Sequence, residues 1–319
     1  MGDHCVKCTP RLPGILCTAF LLASITGVLA QPSVDPICSA KALHTITANF
    51  NNPSDVVAGR NGKVYVLDGV NNKVKVFNQK GAFLFSFGET GTGKGTFTFP
   101  LGIGIDRADH IYIADSGNHR VQIFSPEGNY LSHFSTETTR KQIKPSDPTD
   151  VVVDSTAEKC YIIDNDNHWI FVYDLKNGLP VTTYGTMGME KKEFRFPFLL
   201  DIDQKDNLYV VEVINTRVTV LAPDGKHLST IGGWGVDKGE FYRPKGVAVD
   251  QKKRVFVSDS YLGVIQVFDQ DGKFFCVLKD ENGSVIKFVT PTGIFIDKQM
   301  RLYVAEMLAN RVRVLQLQD

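Results

Sequence analysis

Three short apolar segments follow one another in the sequence Pro100-Leu-Gly-Ile-Gly-Ile-Asp106, Ile111-Tyr-Ile-Ala-Asp115 and Arg120-Val-Gln-Ile-Phe124. Short runs of this kind, rich in Val, Ile and Phe, are typical of β-strands. The same order of segments returns along the chain, and each copy opens with a proline, at intervals of 47 to 49 residues: Pro53, Pro100, Pro148, Pro197, Pro244 and Pro291. An even period of this length is typical of a β-propeller, in which each repeat folds into one four-stranded blade.

The second repeat predicts the strands of a blade. They are Ile103–Asp106, Ile111–Ala114, Val121–Phe124 and Tyr130–Phe134, which we call strands a, b, c and d. The sixth repeat stops without a strand d, and the segment Leu43-His-Thr-Ile-Thr47 before the first proline resembles the strand d Leu228-Ser-Thr-Ile231. We therefore predict an all-β, six-bladed propeller over residues 42–319, closed by an N-terminal strand that completes the last blade.

The composition bounds the range of functions. The chain has 319 residues, with 35 Lys plus Arg and 35 Asp plus Glu, so its formal net charge is zero. Nucleic-acid binding needs an excess of cations that displaces counterions from the phosphates. We therefore expect no nucleic-acid partner.

The first 30 residues differ from the repeats. Lys7 and Arg11 precede an apolar run from Leu12 to Ala30 that ends in small residues, which is the pattern of a signal peptide. We predict cleavage after Ala30, export as a secreted or periplasmic protein, and a tether at residues 31–41. An uncleaved N-terminal membrane anchor is the weaker alternative, because Gly, Ser and Thr interrupt the run. After cleavage we expect no membrane span.

Cleavage at this point would leave three of the six cysteines, Cys38, Cys160 and Cys276. An odd number in an exported chain leaves at least one thiol unpaired. The repeats place Cys160 and Cys276 on different blades, so we do not expect these two to pair. Whether Cys38 forms a disulfide is left open by the sequence.

Several segments resemble the NHL repeat. The clearest are Asp115-Ser-Gly-Asn-His-Arg-Val-Gln-Ile-Phe124, Pro244-Lys-Gly-Val-Ala-Val-Asp250 and the linker Gly233-Trp-Gly-Val-Asp-Lys-Gly-Glu-Phe241. The resemblance extends over nearly all of the chain after residue 42 and implies a six-bladed propeller. It leaves the function open, because NHL propellers include RNA-binding modules, extracellular sensor domains and the peptidyl-amidoglycolate lyase.

An acidic residue closes every predicted strand b: Asp68, Asp115, Asp164, Glu212, Asp259 and Glu306. In four repeats a cation follows five positions later, which is the pattern of a structural ion pair: Lys73, Arg120, Arg217 and Arg311. The third and fifth repeats lack this cation, which leaves Asp164 and Asp259 without that partner, and the third carries the polar segment Asp164-Asn-Asp-Asn-His-Trp169. A repeat that departs from its neighbours is where a ligand site is expected, and a solvated turn is the alternative.

Two further groups are candidate site residues. His119 and His168 occupy equivalent positions in neighbouring repeats, which raises zinc or calcium as an alternative, although the other His residues fall at unmatched positions and we expect no cofactor. Two positions after the proline, Asp55 and Asp150 replace the Gly that three other repeats carry, and the fourth repeat has Leu199 there. They face the channel mouth or bind a backbone amide. Aromatic residues crowd the d–a linkers, and any that are exposed would form a partner surface.

These patterns predict an exported, monomeric NHL propeller that binds a protein, peptide or glycan on one rim. The rim consists of the b–c loops and d–a linkers, held rigidly by the blades. Its candidate residues are Asp164, Asp166, His168, Trp169, Trp234, Tyr261 and His119, with Asp55 and Asp150 at the channel mouth. The alternative is an extracytoplasmic metal-dependent lyase or hydrolase similar to the peptidyl-amidoglycolate lyase, and RNA binding is the least favoured function. No catalytic residue is assigned, and the sequence leans away from an enzyme.

Overall fold

The computed structural model describes Gly2, residues 38–136 and residues 144–318. The predicted signal peptide, its cleavage site and most of the tether lie outside the described residues. The described strands form six antiparallel sheets of four strands each. The predicted all-β, six-bladed propeller is therefore confirmed.

The first three blades follow the repeats in sequence order. Each sheet lists its strands from a to d, and each strand a begins at a repeat proline. Blade 1 contains β2 (Pro53–Ala58), β3 (Lys63–Asp68), β4 (Lys73–Asn78) and β5 (Phe83–Phe87). Blade 2 contains β6 (Pro100–Ile105), β7 (Ile111–Asp115), β8 (Arg120–Phe124) and β9 (Tyr130–Ser135). Blade 3 contains β10 (Pro148–Val153), β11 (Lys159–Asp164), β12 (Trp169–Asp174) and β13 (Leu179–Tyr184).

Blades 4 and 5 follow the same plan, whereas blade 6 takes its outer strand from the N-terminal segment. Blade 4 contains β14 (Pro197–Ile202), β15 (Leu208–Glu212), β16 (Arg217–Leu221) and β17 (His227–Ile231). Blade 5 contains β18 (Pro244–Val249), β19 (Val255–Asp259), β20 (Val264–Phe268) and β21 (Phe274–Val277). Blade 6 contains β22 (Pro291–Ile296), β23 (Arg301–Glu306) and β24 (Arg311–Leu317), and β1 (Ala40–Ile46) pairs antiparallel with β24 as its outer strand. Single 3-10 turns occupy Gly69–Asn71, Ser116–Asn118 and Met307–Ala309.

The core lies between neighbouring blades. One cluster joins Tyr65 and Val76 of blade 1 to Ile103, Ile111 and Phe124 of blade 2. Strands b and c supply most of this apolar surface, whereas the outer strand β13 is largely exposed. Each apolar Å² removed from water contributes about 25 cal/mol, so the blades are held together chiefly by these interfaces.

A disulfide connects the start of the ring to blade 5. Cys38 bonds Cys276 on β21, with a Cα–Cα distance of 5.8 Å and a sequence separation of 238 residues. Backbone hydrogen bonds from Ala40 N to Lys279 O (2.9 Å) and from Lys279 N to Cys38 O (2.7 Å) hold the same segment. Cys160 is a free, buried thiol. The sequence left the partner of Cys38 open, and in the structure this disulfide connects the N-terminal strand to blade 5.

The inner strands approach one another closely around the axis. A Cβ placed on Gly102 would lie 2.4 Å from Thr149 O of the next blade, and one on Gly293 would lie 1.9 Å from a carboxylate oxygen of Asp55. No side chain fits at these two positions without displacing the neighbouring strand. Glycine therefore sets how tightly the channel closes.

Candidate functional site

One end of the propeller carries all b–c loops and d–a linkers. Each strand a begins where strand b ends, as in the pairs Pro53 with Asp68 and Pro244 with Asp259. We call this end the loop face; its b–c loops are residues 69–72, 116–119, 165–168, 213–216, 260–263 and 307–310. The a–b turns lie at the opposite end, which we call the turn face.

The acidic residues that close strand b fix the linkers of the loop face. Each accepts a hydrogen bond from the backbone amide 17 residues earlier, with distances of 2.6 to 3.2 Å: Asn51 to Asp68, Thr98 to Asp115, Asp147 to Asp164, Arg195 to Glu212, Tyr242 to Asp259 and Val289 to Glu306. This repeated bond orders every linker against its own blade. The carboxylates are thus structural and point into the blade.

The expected ion pairs form in three of four blades. Arg120 pairs with Asp115 and Arg217 with Glu212, both at 2.7 Å, and Arg311 pairs with Glu306. In blade 1 the partner of Asp68 is Lys75, at 2.7 Å, so the prediction of Lys73 was wrong. Positions five and seven after the acid point to the same face of strand c, because side chains alternate along a strand.

Blade 3 buries most of its polar segment. Asp164 accepts hydrogen bonds from Asn167, and burial raises the pKa of its carboxyl. Trp169 is 4% exposed and packs edge-on against Phe171. Asp166 stays near the surface and pairs with Lys144 at 3.1 Å. Asp166 and Asn165 are thus the two partly exposed members of this segment.

His168 and His119 share a backbone position. Both end a b–c loop in the left-handed conformation, with φ of 60° and 53°. His168 is buried, its Nδ1 accepts the amide of Phe196 at 3.2 Å, and burial lowers its pKa. His119 Nδ1 contacts Ser146 O. Within the described ranges no group of three or more His, Cys, Asp or Glu is arranged to hold a metal ion.

The loop face exposes aromatic and aliphatic side chains. Trp234 is 75% exposed, and the rings of Tyr242 and Tyr261 lie 4.2 Å apart and open to solvent. Phe99 and Phe196 are also exposed, and both have left-handed backbone. Further exposed members on these loops and linkers are Val70, Met187, Met189, Ile214, Val236, Val289 and Leu308. Large exposed apolar patches mark interaction sites, whereas single exposed apolar residues are common on any protein surface.

The channel contains a cavity of about 500 Å³ that extends toward the turn face. Asp55, Asp150 and Asp201 line it. Each carboxylate bridges to the next blade by accepting a strand a amide: Ile103 N at 3.1 Å, Leu200 N at 2.9 Å and Val249 N at 2.7 Å. Each strand a leaves backbone groups unpaired on the edge that faces the channel, and these carboxylates accept hydrogen bonds from three of the amides.

Burial raises the pKa values of the three channel carboxyls. Burial and the nearby charge of Asp201 raise the pKa of Asp55 to about 7. Burial likewise raises the pKa of Asp201 to about 7, and that of Asp150 well above its ordinary value, with a further contribution from the charge of Asp55. The sequence reasoning missed Asp201. Its signal was a carboxylate at the strand a position where the other repeats carry Val57, Gly104, Val152, Ala248 or Phe295.

The fold and this loop face define a six-bladed β-propeller with six similar loop sets around one channel. A family model described as the NHL repeat matches residues 50–77 and 97–124, which correspond to blades 1 and 2. These two matches and the six four-stranded blades are consistent with the NHL-repeat propeller family. A comparison with curated proteins found no match.

Solved structures with the same fold are distant in sequence. A streptogramin B lyase structure superposes with a TM-score of 0.61 at 15% identity, covering 88% of this chain and 99% of that one. A catalytically inactive virginiamycin B lyase from Staphylococcus aureus, with quinupristin, gives a TM-score of 0.58 at 14% identity, covering 85% and 82%. A Bacteroides thetaiotaomicron protein of unknown function gives 0.65 at 17%, covering 88% and 72%. At these identities the likeness concerns the fold alone.

No helix in the described ranges is long and apolar enough to cross a membrane. The cofactor and lyase alternatives stay predictions.

Proposed function

We propose that this NHL propeller is an exported scaffold that binds a protein partner through the loop face. The observation that carries the proposal is the exposure of Trp234, Tyr242, Tyr261 and Phe99 on loops of one end. Exposed Met, Val, Ile and Leu side chains accompany these aromatic residues. This mixture favours a protein or peptide over a glycan, because sugars stack on aromatic rings and gain little from aliphatic side chains.

Export is supported by the bond between Cys38 and Cys276. Disulfides persist in oxidising compartments and are rare where glutathione keeps thiols reduced. The N-terminal segment with its small-residue ending at Ala30 agrees with this location. We therefore propose a secreted or periplasmic site of action.

Binding would rely on a surface that is already rigid. The loops are held by the six amide–carboxylate bonds and, in four blades, by an added cation. A rigid surface loses little conformational entropy when a partner binds. Exposed aromatic side chains are also the residues that most often dominate binding energy, at about 2 kcal/mol or more for each such residue.

The test is a comparison of two surface variants in affinity capture from the secreted fraction of the producing cells. One variant carries Trp234→Ser and Tyr261→Ser on the loop face. The matched control carries Leu84→Ser and Leu228→Ser, two exposed residues on outer strands. We expect a partner that the wild type and the control retain and that the loop-face variant loses at least tenfold. Equal capture by all three proteins would refute this function.

A further inference from the structure

Lys245 places an ammonium group at the loop-face entrance of the channel. It is the second residue of β18 in blade 5, directly after the proline that begins the strand. Its Nζ lies 3.9 Å from the ring centroid of Phe198, the equivalent second residue of β14 in blade 4. The side chain is half-buried between two blades. A cation is thus held at a defined position beside the axis.

A second cation stands next to it. Arg243 is the last linker residue before β18; its side chain is exposed, while its backbone amide donates to Asp259. Burial and the charge of Arg243 together lower the pKa of Lys245 to about 8. The two side chains therefore form a pair of like charges at the end of blade 5.

Neither cation has a counter-ion in the part of the chain that the structure describes. Three arginines of the fold show the opposite arrangement: Arg120, Arg217 and Arg254 each form an ion pair of 2.7 Å or less. The Phe198 ring attracts the ammonium of Lys245 but accepts no conventional hydrogen bond, and an ammonium carries three donors. A half-buried ammonium beside a second cation and without a carboxylate is costly unless an anion binds to it.

The neighbouring side chains indicate what kind of anion fits. Tyr242 directly precedes Arg243, and its exposed ring contacts Tyr261. Trp234 lies on the same linker and forms an isolated backbone β-bridge with Phe241. Apolar surface and unpaired positive charge therefore lie side by side on blade 5.

We propose that Lys245 and Arg243 bind a carboxylate of an acidic peptide segment of the partner, while an apolar side chain of that segment packs against Tyr242 and Tyr261. This inference rests on the proposed function and adds the chemical class of the partner segment that binds. A small free carboxylic acid would use the cations but leave the tyrosine pair exposed. The peptide is the occupant that uses both halves of the surface.

The experiment selects peptides from a random display library on the full-length protein and measures them as synthetic probes. Each selected peptide is compared with a copy in which Asp and Glu become Asn and Gln. Dissociation constants are measured for wild type, Lys245→Met, Lys245→Arg and Arg243→Gln. The control is Lys205→Met, an exposed lysine in the turn between β14 and β15 on the turn face. A Tyr242→Ser/Tyr261→Ser variant reports on the aromatic half.

We expect acidic peptides that bind the wild type at least tenfold more tightly than their amide copies. Lys245→Met should abolish this difference, Lys245→Arg should retain most of it, and Lys205→Met should leave it unchanged. Because Arg243 is exposed, Arg243→Gln keeps the test valid even if Lys245→Met fails to fold.

Three results would overturn the inference. If acid and amide peptides bind equally but the tyrosine variant abolishes binding, the loop face binds peptides without this carboxylate site, and the proposed function survives. If acetate or propionate displaces the peptides and the tyrosine variant has no effect, the occupant is a small acid. If no selected peptide depends on any loop-face residue, both the inference and the proposed function are wrong.

Discussion

Replacing Asp55 with Asn should change the way in which stability depends on pH. Asp55 is 6% exposed, and its carboxylate accepts the amides of Val56 (2.8 Å) and Ile103 (3.1 Å). Burial raises the pKa of this carboxyl from 3.8 to about 7. The folded protein therefore binds a proton that the unfolded chain has already released between these two pH values.

The sign and size follow from proton linkage. Stability from this group is fully present below pH 4 and is lost as pH rises through 7, because the folded state holds more protons. One pKa unit corresponds to about 1.4 kcal/mol, so the two units between pH 5 and 7 give a loss of about 3 kcal/mol between pH 5 and pH 9. Asn cannot ionise, and it removes this loss.

Asn also carries a cost that does not depend on pH. Its amide nitrogen cannot accept the hydrogen bond that one carboxyl oxygen of Asp55 accepts, whether that carboxyl is protonated or not, and the loss costs about 1 to 3 kcal/mol. Asp55→Asn should thus be less stable than wild type at pH 5 and reach or exceed it at pH 9.

The assay is urea unfolding at pH 5, 7 and 9, with the free energy of unfolding compared between proteins. Asp271→Asn, at an exposed turn between β20 and β21, is the matched control and should follow the wild type at every pH. Parallel pH profiles for Asp55→Asn and wild type would show that the channel carboxyl is ionised throughout and would falsify the linkage argument.

Three other outcomes are expected. A Cys38→Ser/Cys276→Ser variant should lose about 2 to 5 kcal/mol of stability, and peptide mapping of the untreated protein should recover the two cysteines linked; separate peptides would contradict the bond. The amine of Lys245 should lose its proton as pH rises through about 8. The titration can be followed by 13C NMR of labelled methyl groups attached to the amine, and a midpoint above pH 10 would count against the burial of Lys245. Gly102→Ala should destabilise by about 1 to 3 kcal/mol in thermal melts, whereas Gly233→Ala, with open space, should not; equal melts would refute the close approach.

The blade plan was predictable from local patterns. The period of the prolines and the alternation within strands b and c depend on neighbouring residues, and the observed strand b, Ile111–Asp115, differs from its prediction by one residue. The predicted strand a began at Ile103, but the structure begins it at Pro100. Proline has no backbone N–H to donate, and it fits the start of a strand whose channel-facing edge is unpaired. The strand can therefore begin at the proline, earlier than its apolar residues indicate.

The site was only partly predictable. Trp234 and Tyr261 were recognised on the loop face and are exposed there, whereas His168 and Trp169 point into the blade. A polar or aromatic residue in a loop gives the same signal whether it is solvated or packed beneath the next linker. His168 is covered by Phe196 of the following linker, at a ring distance of 4.7 Å, and that contact joins residues 28 positions apart.

By itself the sequence determined the number of blades, the order of their strands and the end of the propeller that carries the loops. These depend on periodicity and turn residues that act over a few positions. Only the tertiary structure decided that Cys38 meets Cys276, that Asp201 joins the channel carboxylates, and that Lys245 rests on Phe198. Each of these contacts crosses between blades, where packing of distant segments sets burial and charge pairing, and no local pattern specifies which side chain arrives there.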